Sequence, residues 1–233
     1  MTLVALLHGG MHWGSSWDLV AAGLEARGID VVTPDLPVDD VAAGARDWAR
    51  VAISAIDAEA GDSDDVLVVG HSLAGLCVPV IATLRDVRRM VFLAALVPEP
   101  GRVFADHLAD NPDAITFAAG AMTGDGPFGL TFESVRDNFY HDCPEALVSK
   151  AFRELRDQAL TVFVEQCPID RWPDTPSTYI LMNDDRAVGG DWSRRVAQDR
   201  LGAAVITMDG GHCPFFARPD ELVGALETMV VAP

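Results

Sequence analysis

Short apolar runs alternate with longer amphipathic stretches along this chain of 233 residues. Leu3–Leu7 is apolar throughout, and the runs at 29–33, 66–69, 89–96, 178–182 and 204–208 are also mainly apolar. A strand that is apolar at nearly every position is covered on both faces, which is the habit of parallel sheets. Between these runs the period lengthens. Residues 17–27 repeat their apolar positions at helical spacing and stop at Gly28, a residue type that ends helices in the left-handed conformation. Helices are likewise predicted over 41–60, 73–84, 192–201 and 219–230. The 73–84 stretch is apolar almost all round, as suits a helix buried beneath a sheet. This alternation predicts an α/β domain: a mostly parallel six-stranded sheet with helices on both faces.

One segment breaks the rhythm. Residues 98–176 carry helical patches near 103–109, 132–139 and 146–160, a glycine-rich stretch at 120–129, and no convincing strand. An insertion of that length after the fourth strand predicts a helical cap. The whole of 1–233 is then one domain, with its core in 1–97 and 177–233 and its cap in about 98–176.

The third strand runs into Gly70-His71-Ser72-Leu73-Ala74, with a helix after it. A sharp strand-to-helix turn leaves little room two residues to either side of the serine, and Gly70 and Ala74 meet that need. The alternative for Ser72 is a plain helix N-cap. Two further segments favour a nucleophile. Asn183-Asp184-Asp185-Arg186 follows the fifth strand, and Gly210-Gly211-His212-Cys213 follows the sixth. A serine, an imidazole to take its proton and a carboxylate to fix the imidazole form a nucleophilic triad, here in the order Ser72, Asp185, His212. Asp184 competes with Asp185 for the acid, and its other reading is a solvated turn carboxylate. Asp35, in Pro-Asp-Leu-Pro, reads as turn chemistry.

After the first strand, His8-Gly9-Gly10-Met11-His12 forms a loop of small residues. The backbone N–H groups of Gly10 and Leu73 are the predicted oxyanion donors. His8 and His12 fall on a strand end rather than on one helix face, so no zinc site is expected. All these pieces lie at the carboxyl ends of predicted parallel strands, where open α/β sheets bind ligands. Candidate pocket residues are Gly9, Met11, His12, Phe104, Tyr140, His141 and Cys213, with Met122, Phe128, Phe139 and Phe163 as further apolar candidates. Each of these also has a plain packing reading. His71 is expected to be buried and hydrogen-bonded.

Composition narrows the partners. A net charge of −18 disfavours nucleic acid and acidic membranes, both of which need clustered cations, and favours a neutral small molecule. Four cysteines without close pairing, and a start at Met1 without a basic, long apolar leader, predict a reduced cytoplasmic setting.

The segments Leu6–Trp17, Thr33–Pro37, Val68–Gly75, Val97–Gly101, Tyr179–Val188 and Gly210–Leu222 together resemble the α/β-hydrolase superfamily. The likeness is strongest to its compact group of plant methylesterases, hydroxynitrile lyases and related bacterial esterases. It implies an α/β-hydrolase fold, a cap after the fourth strand, no cofactor or metal, and frequent homodimers. It also implies Asp185, directly before Arg186-Ala187-Val188, as the acid. Lyases of that group carry Thr and Lys where this chain has Gly9 and Cys213, so the resemblance points to cleavage of a small, neutral, fairly apolar ester. A thioesterase, lyase or cyclase using the same triad is the alternative, and a non-catalytic small-molecule receptor is a third reading.

Overall fold

The computed structural model describes residues 2–117 and 129–231. Six strands, β1 (Leu3–Leu7), β2 (Asp30–Val32), β3 (Val66–His71), β4 (Arg89–Leu93), β5 (Ser177–Met182) and β6 (Ala204–Met208), form one sheet in the order β2-β1-β3-β4-β5-β6. Every pairing is parallel. The alternating pattern predicts a mostly parallel sheet, and the sheet is parallel throughout.

Each strand sends alternate side chains to opposite faces, so the sheet has two cores. Leu3, Ala5, Leu7, Val66, Val68, Met90 and Phe92 face one side. There they meet α2 (Ala45–Ala60), α3 (Val78–Leu84) and α8 (Gly190–Asp199), which contribute the buried Trp48, Ile81 and Trp192. Val4, Leu6, Leu67, Val69, Val91 and Ile180 face the other side. They pack against α1 (Asp18–Glu25) and α10 (Pro219–Val231), which bring Val20, Leu24, Leu222 and Leu226. Burying a Leu, Val or Phe side chain stabilises by about 1.5–3 kcal/mol, and both faces of the four central strands are lined with such residues.

Between β4 and β5 lie α4 (Phe104–Asp110), α5 (Phe132–Phe139), α6 (Glu145–Glu154) and α7 (Thr161–Val164). A last short helix, α9 (Pro214–Ala217), follows β6. No helix among the described residues is long and apolar enough to cross a membrane.

Among the departures from the sequence pattern, α2 begins at Ala45 rather than 41, and three others bear on the site. β4 ends at Leu93 although the apolar run continues, because Ala94 takes a φ of 45° and the chain turns to bring the Leu96 amide 2.9 Å from the Ser72 carbonyl. The 73–84 stretch is a 3-10 turn (Ser72–Leu76) followed by α3, with Pro79 in the first turn of α3, where its missing N–H is harmless. The helix expected over 146–160 stops at Glu154, and Leu155 is extended. From there the chain crosses the loop after β1.

Candidate active site

The strand order reverses between β1 and β3: β2 lies beyond β1, and β4 beyond β3. Loops leaving the two strands at such a point diverge and open a crevice at their carboxyl ends. Ser72 sits there, on the turn out of β3, with a φ of 51°. That left-handed value is strained for a residue with a Cβ. The close approach expected at Gly70 is present: a Cβ there would lie 2.3 Å from Val78 Cγ2 and 3.2 Å from the Ala74 carbonyl oxygen.

His212 is carried by the loop after β6, and its Nε2 lies 3.0 Å from Ser72 Oγ. Its Nδ1 is 2.9 Å from Asp185 Oδ2 and 3.1 Å from Oδ1. A carboxylate only accepts, so Nδ1 carries the proton and donates it to Asp185. Nε2 then holds a lone pair and accepts the Ser72 O–H. The His212 and Asp185 side chains are 2% and 4% exposed, which keeps bulk water out of this chain of contacts. Asp185 Oδ1 is held in turn by the amides of Ala187, at 2.7 Å, and Val188, at 3.0 Å. Asp184 is exposed, and only its backbone is used nearby.

Two neighbours fix the histidine loop. His71 Nε2 donates to the His212 carbonyl at 2.9 Å, and the Asp142 carboxylate in the cap accepts the Gly211 amide at 2.8 Å. Burial holds the His71 pKa well below its ordinary value, so this ring stays neutral beside His212. Asp142 belongs to the polar, aromatic stretch 139–143 that reads from sequence as a helix end or a pocket wall, and its contact with the histidine loop is not visible in that pattern.

The β1 loop closes the other side of the crevice. His8 Nδ1 donates to the Gly9 carbonyl at 2.8 Å, and its Nε2 accepts the Leu36 amide at 2.8 Å. His12 Nδ1 donates to the Gly10 carbonyl at 2.7 Å, which leaves its Nε2 to accept the Tyr140 hydroxyl at 2.6 Å. Burial lowers the two pKa values to about 3 and about 4, so both rings are neutral hydrogen-bonding struts. The Leu73 amide lies in the first turn of its helix and has no intrahelical partner. Among the described residues the Gly10 amide has no partner either.

Ser72, His212, Gly10, Met11, His12 and Leu73 border one cavity. Its other walls are mainly apolar, from Leu96, Ile115, Phe117, Leu130, Phe139, Phe163, Ala187 and Val188, with the Gln158 amide and the neutral His71 ring as the polar members. Of the other pocket candidates, five point elsewhere. Gly9 backs onto His71 and Ser72 rather than the cavity. Phe104 packs into the core against His107 and Phe163. Tyr140 stands behind His12, and His141 donates to the Asp184 carbonyl at 2.9 Å. Cys213 is fully buried, with its thiol pKa pushed well up by that burial. Met122 and Phe128 lie outside the described residues. Among the described residues no group of three or more His, Cys, Asp or Glu side chains is placed to hold a metal ion.

A family model described as the alpha/beta hydrolase family matches residues 4–225. A pyrethroid hydrolase of Sphingobium wenxiniae is 26% identical over 249 aligned residues, spanning 100% of this chain and 89% of its own. The putative chloroplastic methylesterase 14 of Arabidopsis thaliana is 22% identical over 239 residues, 93% of this chain and 68% of its own. In fold, the crystal structure of a pyrethroid hydrolase from Sphingobium faniae superposes with a TM-score of 0.77 at 23% identity, covering 100% and 98% of the two chains. Sheet order, the turn at Ser72 and a family model that spans nearly every element agree, and this chain belongs to the alpha/beta hydrolase family.

Proposed function

We propose that this chain hydrolyses small, uncharged, apolar carboxylic esters through an acyl-enzyme formed on Ser72. The observation that carries the reading is the unbroken contact from Asp185 through His212 to Ser72 Oγ at the edge of an apolar cavity. His212 Nε2 takes the hydroxyl proton as Oγ attacks the ester carbonyl. The Gly10 and Leu73 amides receive the oxyanion, where developing charge is stabilised by donors already in place. His212 then returns the proton to the departing alcohol. A water molecule, activated by the same ring, attacks the acyl group and frees the acid.

Three features support the substrate class. The cavity wall offers aromatic and aliphatic groups, and the polar atoms of His12 and Gln158 are already engaged with protein partners. Burying a charge there without a partner would be strongly unfavourable. The chain's charge of −18 repels anionic substrates. The relatives are named as a pyrethroid hydrolase and a methylesterase, and the latter name is itself ester chemistry.

The test is Ser72→Ala assayed on short-chain aryl esters. Removing the serine of such a triad lowers kcat by about 10⁶-fold in a serine protease, and a loss of that order is expected here. Fluorophosphonate labelling of the native protein, absent in the variant, is the second readout. A folded Ser72→Ala protein that still turns over these esters overturns the reading.

A further inference from the structure

The segment following α6 holds the β1 loop through three of its backbone polar groups, the amide and carbonyl of Met11 and the carbonyl of His12. The Arg156 amide donates to the Met11 carbonyl at 2.9 Å, and Arg156 Nε donates to the His12 carbonyl at 2.9 Å. The Trp13 indole donates back to the Glu154 carbonyl at 2.9 Å, and the Arg156 guanidinium lies 3.9 Å above the Trp13 ring. Two residues on, Gln158 Oε1 accepts the Met11 amide at 3.3 Å. Gln158 is itself locked, because its Nε2 donates to the carbonyls of Val38, at 3.0 Å, and Ala159, at 2.8 Å.

Two consequences concern the proposed oxyanion donor. The peptide joining Gly10 to Met11 is pinned at both ends, its C=O by His12 and its N–H by Gln158. Met11 holds a φ of 64°, a left-handed value that persists only where surrounding contacts impose it. Gly10 is also clamped sterically: a Cβ there would lie 2.8 Å from Gln158 Oε1 and 3.1 Å from Leu73 Cδ2. Gln158 Oε1 and Leu73 Cδ2 thus both close on the Gly10 backbone from the side that a Cβ would occupy.

We propose that Gln158 is a positioning residue that fixes the Gly10 amide for oxyanion binding from the cap side of the crevice. The inference rests on the proposed ester hydrolysis at Ser72. Both Nε2 protons of Gln158 are engaged and Oε1 already accepts the Met11 amide, so Gln158 has no N–H left to donate to a substrate oxygen or an oxyanion. Its removal therefore acts through the loop, on the transition state rather than on ground-state binding.

The experiment measures kcat and KM for Gln158→Met on the same aryl esters, with the affinity of a trifluoromethyl ketone, which forms a tetrahedral adduct bearing an oxyanion. Native protein that is active while Ser72→Ala is inactive first secures the underlying reading. If those two proteins are equally active, the ester reading fails, and this inference fails with it. With that reading secure, kcat is expected to fall about 10²-fold, the size of effect that a misplacement near 1 Å produces. KM is expected to stay within about twofold, because uniform binding is untouched. Ketone affinity is expected to fall in step with kcat. An unchanged kcat, or a rise in KM alone, overturns the proposal. Gln158→Glu, which keeps an acceptor for Met11 but loses the two donors, is read the same way if Gln158→Met does not fold. Failure of both variants to fold makes Gln158 a determinant of the fold and also overturns the positioning role.

Discussion

Asp185→Asn tests the proton arrangement with almost no change of shape. In the native site Asp185 Oδ1 accepts two backbone amides, from Ala187 and Val188, while both oxygens face His212 Nδ1. An asparagine must satisfy the two amides with its one oxygen, so its NH₂ group turns toward the imidazole. Nδ1 is then required to accept, and the ring proton moves to Nε2, which points at Ser72 Oγ 3.0 Å away. A protonated Nε2 cannot take the hydroxyl proton. In a serine protease the equivalent exchange lowers kcat by about 10⁴-fold, and at 1.36 kcal/mol per tenfold this is about 5.5 kcal/mol of lost transition-state stabilisation. The assay is kcat/KM on short-chain aryl esters with circular dichroism as the fold check. Asp184→Asn is the control. Asp184 is exposed, and surface changes usually stay within about 0.5 kcal/mol, so activity is expected within about twofold of native. Folded Asp185→Asn retaining more than about a tenth of native activity, against the expected 10⁴-fold loss, would refute the tautomer argument. A larger loss in Asp184→Asn would refute the assignment of the acid.

The same histidine network predicts a pH dependence of stability. His8 and His12 have pKa values lowered from 6.5 to about 3 and about 4 by burial, and His71 is held well below 6.5 for the same reason, so below pH 6.5 the unfolded chain takes up three protons from this network that the folded chain refuses. The stabilisation is complete above that pH and is lost as pH falls toward 4, at about 4 kcal/mol per pH unit near pH 5 for three protons. Urea midpoints at pH 7.5 and 5.0 check this, and an unchanged or higher midpoint at pH 5.0 contradicts it. Ser72 carries a φ of 51°, so Ser72→Gly should be more stable than Ser72→Ala by about 0.5–1 kcal/mol, the left-handed strain exceeding glycine's extra unfolded-state entropy. Denaturant titration of the two inactive proteins decides it, and Ser72→Ala proving the more stable would show that the turn is not strained.

Chemistry that follows from local pattern was legible in the chain. Apolar strands separated by amphipathic helices specify a covered parallel sheet, because period and burial are properties of consecutive residues. The small residues at Gly70 and Ala74 mark a tight turn for the same reason, and they place Ser72 on it. His212 and the Asp184-Asp185 pair were readable because each follows a strand, and parallel strands deliver their carboxyl ends to one rim, while the choice of Asp185 over Asp184 came from the family resemblance. The α2 start at Ala45 rather than 41, the end of β4 at Leu93 and the break of α6 at Glu154 were not, since a bend driven by contacts from distant segments leaves no trace in periodicity.

Tertiary structure alone decided which side chains face the cavity. Phe139 and Tyr140 are neighbours in sequence, yet one lines the cavity and the other stands behind His12. Gln158 and Asp142, more than 60 residues from their loop partners, matter only through the hydrogen bonds they make across that gap. The physical reason is the same in each case. A sequence states what a residue can offer, whereas the direction of a side chain and the partner it meets are set by how separately formed elements pack.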